Sequence, residues 1–192
     1  MNSFQLGTPD IIGIVALALV VVGGFVIYKL QKRRTKNLRT QFGGKEYDRA
    51  VTESGNRRHG EDTLDRRSDR VQSFNVRSLT SADRARFIAS WARIQVHFVD
   101  GPASAVSEAD QLLRDVMTLR GYPVNDFDQR AEDISVNHPL VTEHYRAAHG
   151  IALRQISGLN NTEDLRQGMI HYRALFEDMV GEPKEIKLKV AS

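Results

Sequence analysis

The residues best suited to chemistry in this chain are its histidines. Five of the six, His97, His138, His144, His149 and His171, fall in the distal half. Imidazoles act as proton carriers and as metal ligands. A di-metal centre in a helical bundle needs Glu three residues ahead of His on two helices, and no histidine here has that neighbour. His144 and His149 are five apart and diverge on a helix. His97 and Asp100 are three apart but make an incomplete pair, and Asp164 and His171 lie two turns apart. An inter-helical histidine and carboxylate pocket using His97, His138, His144 and His171 therefore stays open as the alternative. Histidines hydrogen-bonded at helix surfaces and junctions are the reading we adopt, with no metal, no cofactor and no catalytic residue expected.

Other reaction classes lack their parts. The chain has no cysteine, which removes disulfides, thiolate catalysis and cysteine-based zinc sites. Gly43-Gly44 has neither the spacing of a phosphate loop nor a strand before it. Nucleophile elbows and the zinc-protease and deaminase patterns are missing. The carboxylate pairs Glu132-Asp133, Glu163-Asp164 and Glu177-Asp178 are sequence neighbours, which do not face each other on a helix; they read as solvated faces and first-turn charges. Trp91 and Phe98 sit at core spacing. Two constellations are candidates for the border of a groove: the turn Arg120-Gly121-Tyr122-Pro123-Val124 and the run His171-Tyr172-Arg173. Tyr122, His171 and Arg173 are the residues singled out for it, and packing is the competing reading. No small-molecule ligand is identifiable.

The elements that must position these groups are helices. Phe87, Trp91, Ile94 and Phe98 step by four, three and four along one face, after Thr80 and Asp83 in a capping-box arrangement. Gly101-Pro102 separates this helix from one over about Ala103 to Arg120, which ends at Gly121. A short helix over Asp126 to about Ile134 is expected after Asn125 as N-cap. Pro139 opens the next helix. Thr162 is the expected cap of the last, on which Leu165, Met169, Tyr172, Phe176 and Met179 form one stripe. Residues 78–181 thus predict a compact bundle of four to five helices. Residues 182–192 read as a flexible tail, although Ile186, Leu188 and Val190 alternate as a strand would.

The proximal part is different. Ile11 to Tyr28 is a run of eighteen residues without a charge, about 27 Å as a helix against a bilayer core of about 30 Å. Lys29, Lys32, Arg33, Arg34, Lys36 and Arg39 follow with no acidic residue among them. The run lacks the basic start and small-residue cleavage site of a signal peptide. It is too long and too uniformly apolar for a buried core helix. We therefore expect a transmembrane helix over 11–28, residues 1–10 outside, and the C-terminal part in the cytoplasm by the positive-inside rule. The six cations fix the topology and attract anionic headgroups.

Residues 29–77 read as a basic juxtamembrane linker. Leu38 and Phe42, then Tyr47 and Val51, have helical spacing, but each pair is too short to fill a core. Short helices near Lys45 to Glu53 and Glu61 to Ser73, docking on something, compete with a partly disordered charged linker. From Lys29 to Arg77 fourteen Lys or Arg stand against seven Asp or Glu, and from Ser78 to Ser192 thirteen stand against sixteen. The sequence pI of about 9.3 therefore belongs to the membrane-proximal part, and no nucleic-acid partner is expected.

Phe42-Gly43, Glu46-Tyr47-Asp48-Arg49, Arg120-Gly121-Tyr122-Pro123-Val124, His138-Pro139, Thr162-Glu163-Asp164-Leu165-Arg166 and His171-Tyr172-Arg173 form a set. The set resembles a bacterial membrane-anchored family of uncharacterised proteins, from about Phe42 to Gly181. The resemblance implies a bacterial source and the cytoplasmic (inner) membrane, and it implies no activity, cofactor or site residue. The expectation is an all-α, single-pass membrane protein. Its cytoplasmic module would serve protein–protein interaction or scaffolding, with the bilayer and an unidentified protein as partners.

Overall fold

The computed structural model describes residues 8–124, 126–158 and 161–181, with backbone alone at 8–16 and at 156. Among the described residues the chain is all-helical. The helices are α1 (Thr8–Gln41), α2 (Gly43–Glu53), α3 (Arg57–Gln72), α4 (Ser81–His97), α5 (Pro102–Arg120), α6 (Phe127–Asn137), α7 (Pro139–Ile156) and α8 (Thr162–Val180). The tail with Ile186, Leu188 and Val190 lies outside the described residues.

Helix starts follow local chemistry, with small shifts from expectation. Thr80 Oγ1 accepts from the Asp83 amide at 3.1 Å, as its spacing predicts. The cap of α6 is Asp126, which accepts from the Gln129 amide at 2.9 Å; Asn125 lies outside the described residues. The cap of α8 is Asn161 rather than Thr162. Its side chain accepts from the Asp164 amide at 2.9 Å while Asp164 accepts from the Asn161 amide at 3.1 Å. Asparagine outranks threonine at an N-cap, and the reciprocal acid three residues on completes the box. Gly121 ends α5 at φ +90, where a Cβ would meet the Asn75 carbonyl oxygen at 2.5 Å. Only glycine lets the segment entering α4 cross the end of α5 so closely, and there the Arg77 amide donates to the Arg120 carbonyl at 2.9 Å.

Helices α4 to α8 close around one core. Helix α8 packs on α7 and α5 and touches α4. Its stripe Leu165, Met169, Tyr172, Phe176 and Met179 is buried, as are Val106, Leu113, Val116 and Met117 of α5. Trp91 stacks on Phe176 with ring centroids 4.9 Å apart, which makes it a core residue.

The basic linker is ordered helix. Leu38, Phe42, Tyr47, Ala50 and Leu64 pool the short apolar pairs of three helices into a second, small core, with Val51 and Val136 against it. Gly60 allows the close crossing of α2 and α3, since a Cβ there would lie 2.7 Å from Val51 Cα. This unit is not detached from the bundle: α3 packs on α6, and α2 on α7.

Helix α1 has 34 residues and is about 51 Å long. Among the described residues no helix is long and apolar enough to cross a membrane. The described side chains of α1 begin at Leu17, part-way into the uncharged run.

Candidate functional site

The six cations after the apolar run are not equivalent. All are exposed, yet Arg34 is bound to α3. Its Nη2 donates to Asp62 Oδ1 at 2.6 Å and its Nε to Asp65 Oδ2 at 3.0 Å. These bonds raise the guanidinium pKa and hold the Asp62 carboxyl below its ordinary value. Arg39 lies 3.4 Å from Asp48, with its guanidinium 5.8 Å from the Tyr47 ring centroid. Next to Arg34 on α1, Thr35 Oγ1 donates to Glu61 Oε1 at 2.6 Å, an atom that also accepts from Tyr47 Oη at 2.8 Å. The end of α1 is thereby strapped to α2 and α3. Lys29, Lys32, Arg33 and Lys36 remain the exposed collar.

The most unusual cluster is buried, where the small unit meets the bundle. Arg67 of α3 is 2% exposed. It donates from Nη1 to Glu46 Oε1 at 2.8 Å and from Nη2 to Glu132 Oε1 at 2.7 Å. Arg70, one turn on, donates to Asp133 Oδ1 at 2.7 Å and to Glu132 Oε2 at 3.1 Å. Arg146 of α7 closes the set on Glu46 Oε1 at 3.2 Å. Three guanidinium groups and three carboxylates thus bridge α2, α3, α6 and α7. Burial raises the Asp133 pKa, against the pull of Arg70. Glu46 Oε2, Asp133 Oδ2, Arg67 Nε and Arg146 Nε make no hydrogen bond. Desolvating charges costs about as much as pairing them returns. The network therefore fixes which helices meet, and in what register, more than it adds stability.

This corrects the reading of Glu132-Asp133 as a solvated face. Neighbours on one helix do point apart, but here each finds an arginine of α3 more than sixty residues away in sequence. Glu163 keeps the expected surface role. It is bound by Arg166 at 2.7 Å, which takes its pKa down to about 2.

The histidines go to separate places. His97 Nδ1 is 2.9 Å from Glu108, with Ser104 3.4 Å from its Nε2. His149 stacks on Phe127 with centroids 3.5 Å apart, and burial lowers its pKa. His144 and His171 meet across α7 and α8 with their Nδ1 atoms 2.9 Å apart. Burial, and then the neighbouring His144, lowers the His171 pKa. His138 bonds Asp178 through Nδ1, with Arg120 Nη1 3.3 Å from its Nε2. Among the described residues no group of three or more acids and histidines could hold a metal ion.

His138, Asp178 and Arg120 line a cleft of about 570 Å³, with Val76, Leu79 and Met179 on its apolar side. Tyr122, His171 and Arg173 are not among the residues that line it. Tyr122 is 3% exposed and accepts from Asn137 Nδ2 at 2.9 Å. His171 faces His144, and Arg173 bonds Glu177 at 2.8 Å. Gly121 turns Tyr122 inward and leaves Arg120 at the rim of the cleft.

No protein-family model, curated protein or solved structure matches this chain.

Proposed function

We propose that this is a single-pass membrane protein whose N-terminal helix holds a rigid helical body against the cytoplasmic face of the bilayer, as an interaction or scaffolding module. The observation that carries the reading is the course of α1. The eighteen uncharged residues Ile11 to Tyr28 continue without a break into a helix end strapped by Arg34, Thr35, Leu38 and Gln41 to α2 and α3. Leu17, Leu19, Val20, Val21, Phe25 and Ile27 point outward from this helix, 56–71% exposed. That much apolar surface on every side of a helix suits lipid and not water. The collar Lys29, Lys32, Arg33 and Lys36 follows at the depth of the headgroups, where each cation gains about 1 kcal/mol on anionic lipid. Orientation follows from the same charges. A bacterial cytoplasmic membrane is the setting that the resemblance implies.

The test is to replace Lys29, Lys32, Arg33, Arg34, Lys36 and Arg39 by Ser and Glu with a topology reporter after Ser192. Loss or inversion of the cytoplasmic signal supports the reading; an unchanged signal removes the role assigned to the collar. The alternative, an enzyme or metalloprotein, has its best place in the His138–Asp178 cleft. Both imidazole nitrogens there already face partners, so a ligand would have to displace Arg120 or Asp178. Metal bound stoichiometrically to the purified full chain would favour that alternative.

A further inference from the structure

Helix α4 carries two apolar faces. One, with Phe87, Trp91 and Ile94, is buried in the bundle. The other runs through Ala85, Ile88, Ala92 and Val96 and on to Val99 in the turn after the helix, where the Val99 amide donates to the Val96 carbonyl at 3.2 Å; all five are exposed, with Ile88 at 52%, Val96 at 72% and Val99 at 80%. Their spacing is three, four, four and three, so they line one continuous stripe. That order reads the same in both directions about Ala92. We infer that α4 pairs antiparallel with α4 of a second copy, on a two-fold axis through Ala92. Ile88 then meets Val96 of the partner copy, Ala85 meets its Val99, and the two Ala92 residues meet each other. Such self-complementarity is the condition for an isologous contact.

The flank supports the same occupant. Arg86 lies six residues before Ala92 on α4, and Asp100 lies eight residues after it in the turn that follows, so antiparallel pairing brings each Arg86 toward the end of the other copy that carries Asp100. Arg86 is 63% exposed, with Asp83 at 3.4 Å and the Phe87 ring centroid at 4.9 Å as its own-chain partners. Arg93, on that flank near the axis, is drawn away from the stripe by its bond to Ser90 Oγ at 3.0 Å. The alanines suit a helix better than a lipid surface. Helices that lie on membranes use large side chains such as Trp, Phe and Leu, whereas small ones let two backbones approach to about 8 Å. One helix pair makes a small interface, below about 1,200 Å². The pairing therefore rests on the membrane-anchor reading for its effective concentration.

The chain has no cysteine, so Ala92→Cys puts one thiol per copy on the axis. In the full chain incorporated into phosphatidylcholine–phosphatidylglycerol vesicles, oxidation should crosslink Ala92→Cys about tenfold faster than Arg166→Cys on the outer face of α8. Mixed Ala85→Cys and Val99→Cys chains should crosslink to each other, and Ala85→Cys chains should not crosslink among themselves. Adding Val96→Asp should abolish the Ala92→Cys crosslink without lowering helicity. Equal rates for Ala92→Cys and Arg166→Cys overturn the proposal. Preferred Ala85→Cys self-crosslinking does too, by showing a parallel pair. Quenching of a fluorophore at Ala92→Cys by brominated acyl chains overturns it in favour of the bilayer as occupant. Vesicle flotation reads the anchor separately. Chains that do not float are oxidised at high concentration in solution, where the same crosslink pattern keeps the pairing and its loss removes it.

Discussion

The bundle and the N-terminal unit of α2, α3 and the end of α1 solve the same problem with different means. The bundle buries a contiguous core from its five helices, joined by Val71 of α3, and it includes Trp91, Leu113, Tyr145, Tyr172 and Phe176. The proximal unit has five buried apolar residues of its own, Leu38, Phe42, Tyr47, Ala50 and Leu64. A core of that size does not offset the entropy of ordering its helices. What it lacks comes from packing α3 on α6 and α2 on α7, in a register fixed by polar contacts: Arg34 with Asp62 and Asp65, Glu61 with Thr35 and Tyr47, and the set around Arg67. The difference teaches a dependence. The bundle's large core takes only Val71 from the unit, whereas the unit's small core leans on α6 and α7 of the bundle.

The largest expected effect comes from cutting that dependence. Arg67→Ala leaves Glu46 and Glu132 facing each other without their shared cation, which should cost about 3–5 kcal/mol. The single tryptophan, Trp91, lies in the bundle core, so its fluorescence reports the bundle while far-ultraviolet circular dichroism reports all helices. In urea the dichroism of Arg67→Ala should fall before the fluorescence changes, whereas coincident transitions would deny the unit its separate standing. Leu113→Ala, by contrast, opens the bundle core and should cost about 2–5 kcal/mol. Here the two probes should shift together, because the unit cannot outlast its support; dichroism that outlasts the fluorescence would reverse the dependence.

Gly60→Ala is a smaller perturbation inside the unit. Its Cβ would sit 2.7 Å from Val51 Cα and 3.0 Å from the Ala50 carbonyl oxygen, contacts that rigid backbone cannot yield cheaply. A loss of about 1–3 kcal/mol is expected in the early transition alone. A change below about 0.5 kcal/mol, the size seen at ordinary surface sites, would mean that α2 and α3 do not cross as described. Arg34→Ala removes an exposed pair and should cost no more than about 1 kcal/mol, reduced further by salt. An effect that resists high salt would contradict its surface character.

How far these regions were legible follows from the range of their contacts. The apolar stripes of α4, α5, α7 and α8 repeat within one helix, so periodicity alone places them; Thr80, Pro139 and Gly121 mark their ends by local chemistry. The proximal unit is written in pairs such as Arg67 with Glu132 and Arg70 with Asp133, each more than sixty residues apart. Charge spacing on one helix says nothing about a partner on another. Leu38 with Phe42, and Tyr47 with Val51, are too short as pairs to signal a core for the same reason. The histidine readings divide similarly. That no two share a helix at ligand spacing was visible, but the meeting of His144 with His171 across α7 and α8 depends on packing. The caps of α6 and α8 fell one residue away, because Asp126 and Asn161 compete with neighbours of like chemistry.

The smallest effect is a slope. His171 has its pKa lowered from 6.5 by burial and by His144, so the folded chain binds fewer protons than the unfolded one below pH 6.5. Stability should therefore rise with pH up to about 6.5 and fall as acid protonates His171. His171→Asn should flatten that part of a melting-temperature profile, and an unchanged profile would show that His171 does not titrate with folding.

The central claim, that α1 carries this dependent unit and its bundle at the inner face of a bilayer, is tested most directly by labelling in intact cells. Single thiols at Ser3→Cys and Ser107→Cys are exposed to a membrane-impermeant maleimide before and after permeabilisation. The account predicts labelling of Ser3→Cys in intact cells and of Ser107→Cys only after permeabilisation. Recovery of the chain in the soluble fraction, or labelling in the opposite order, would contradict it.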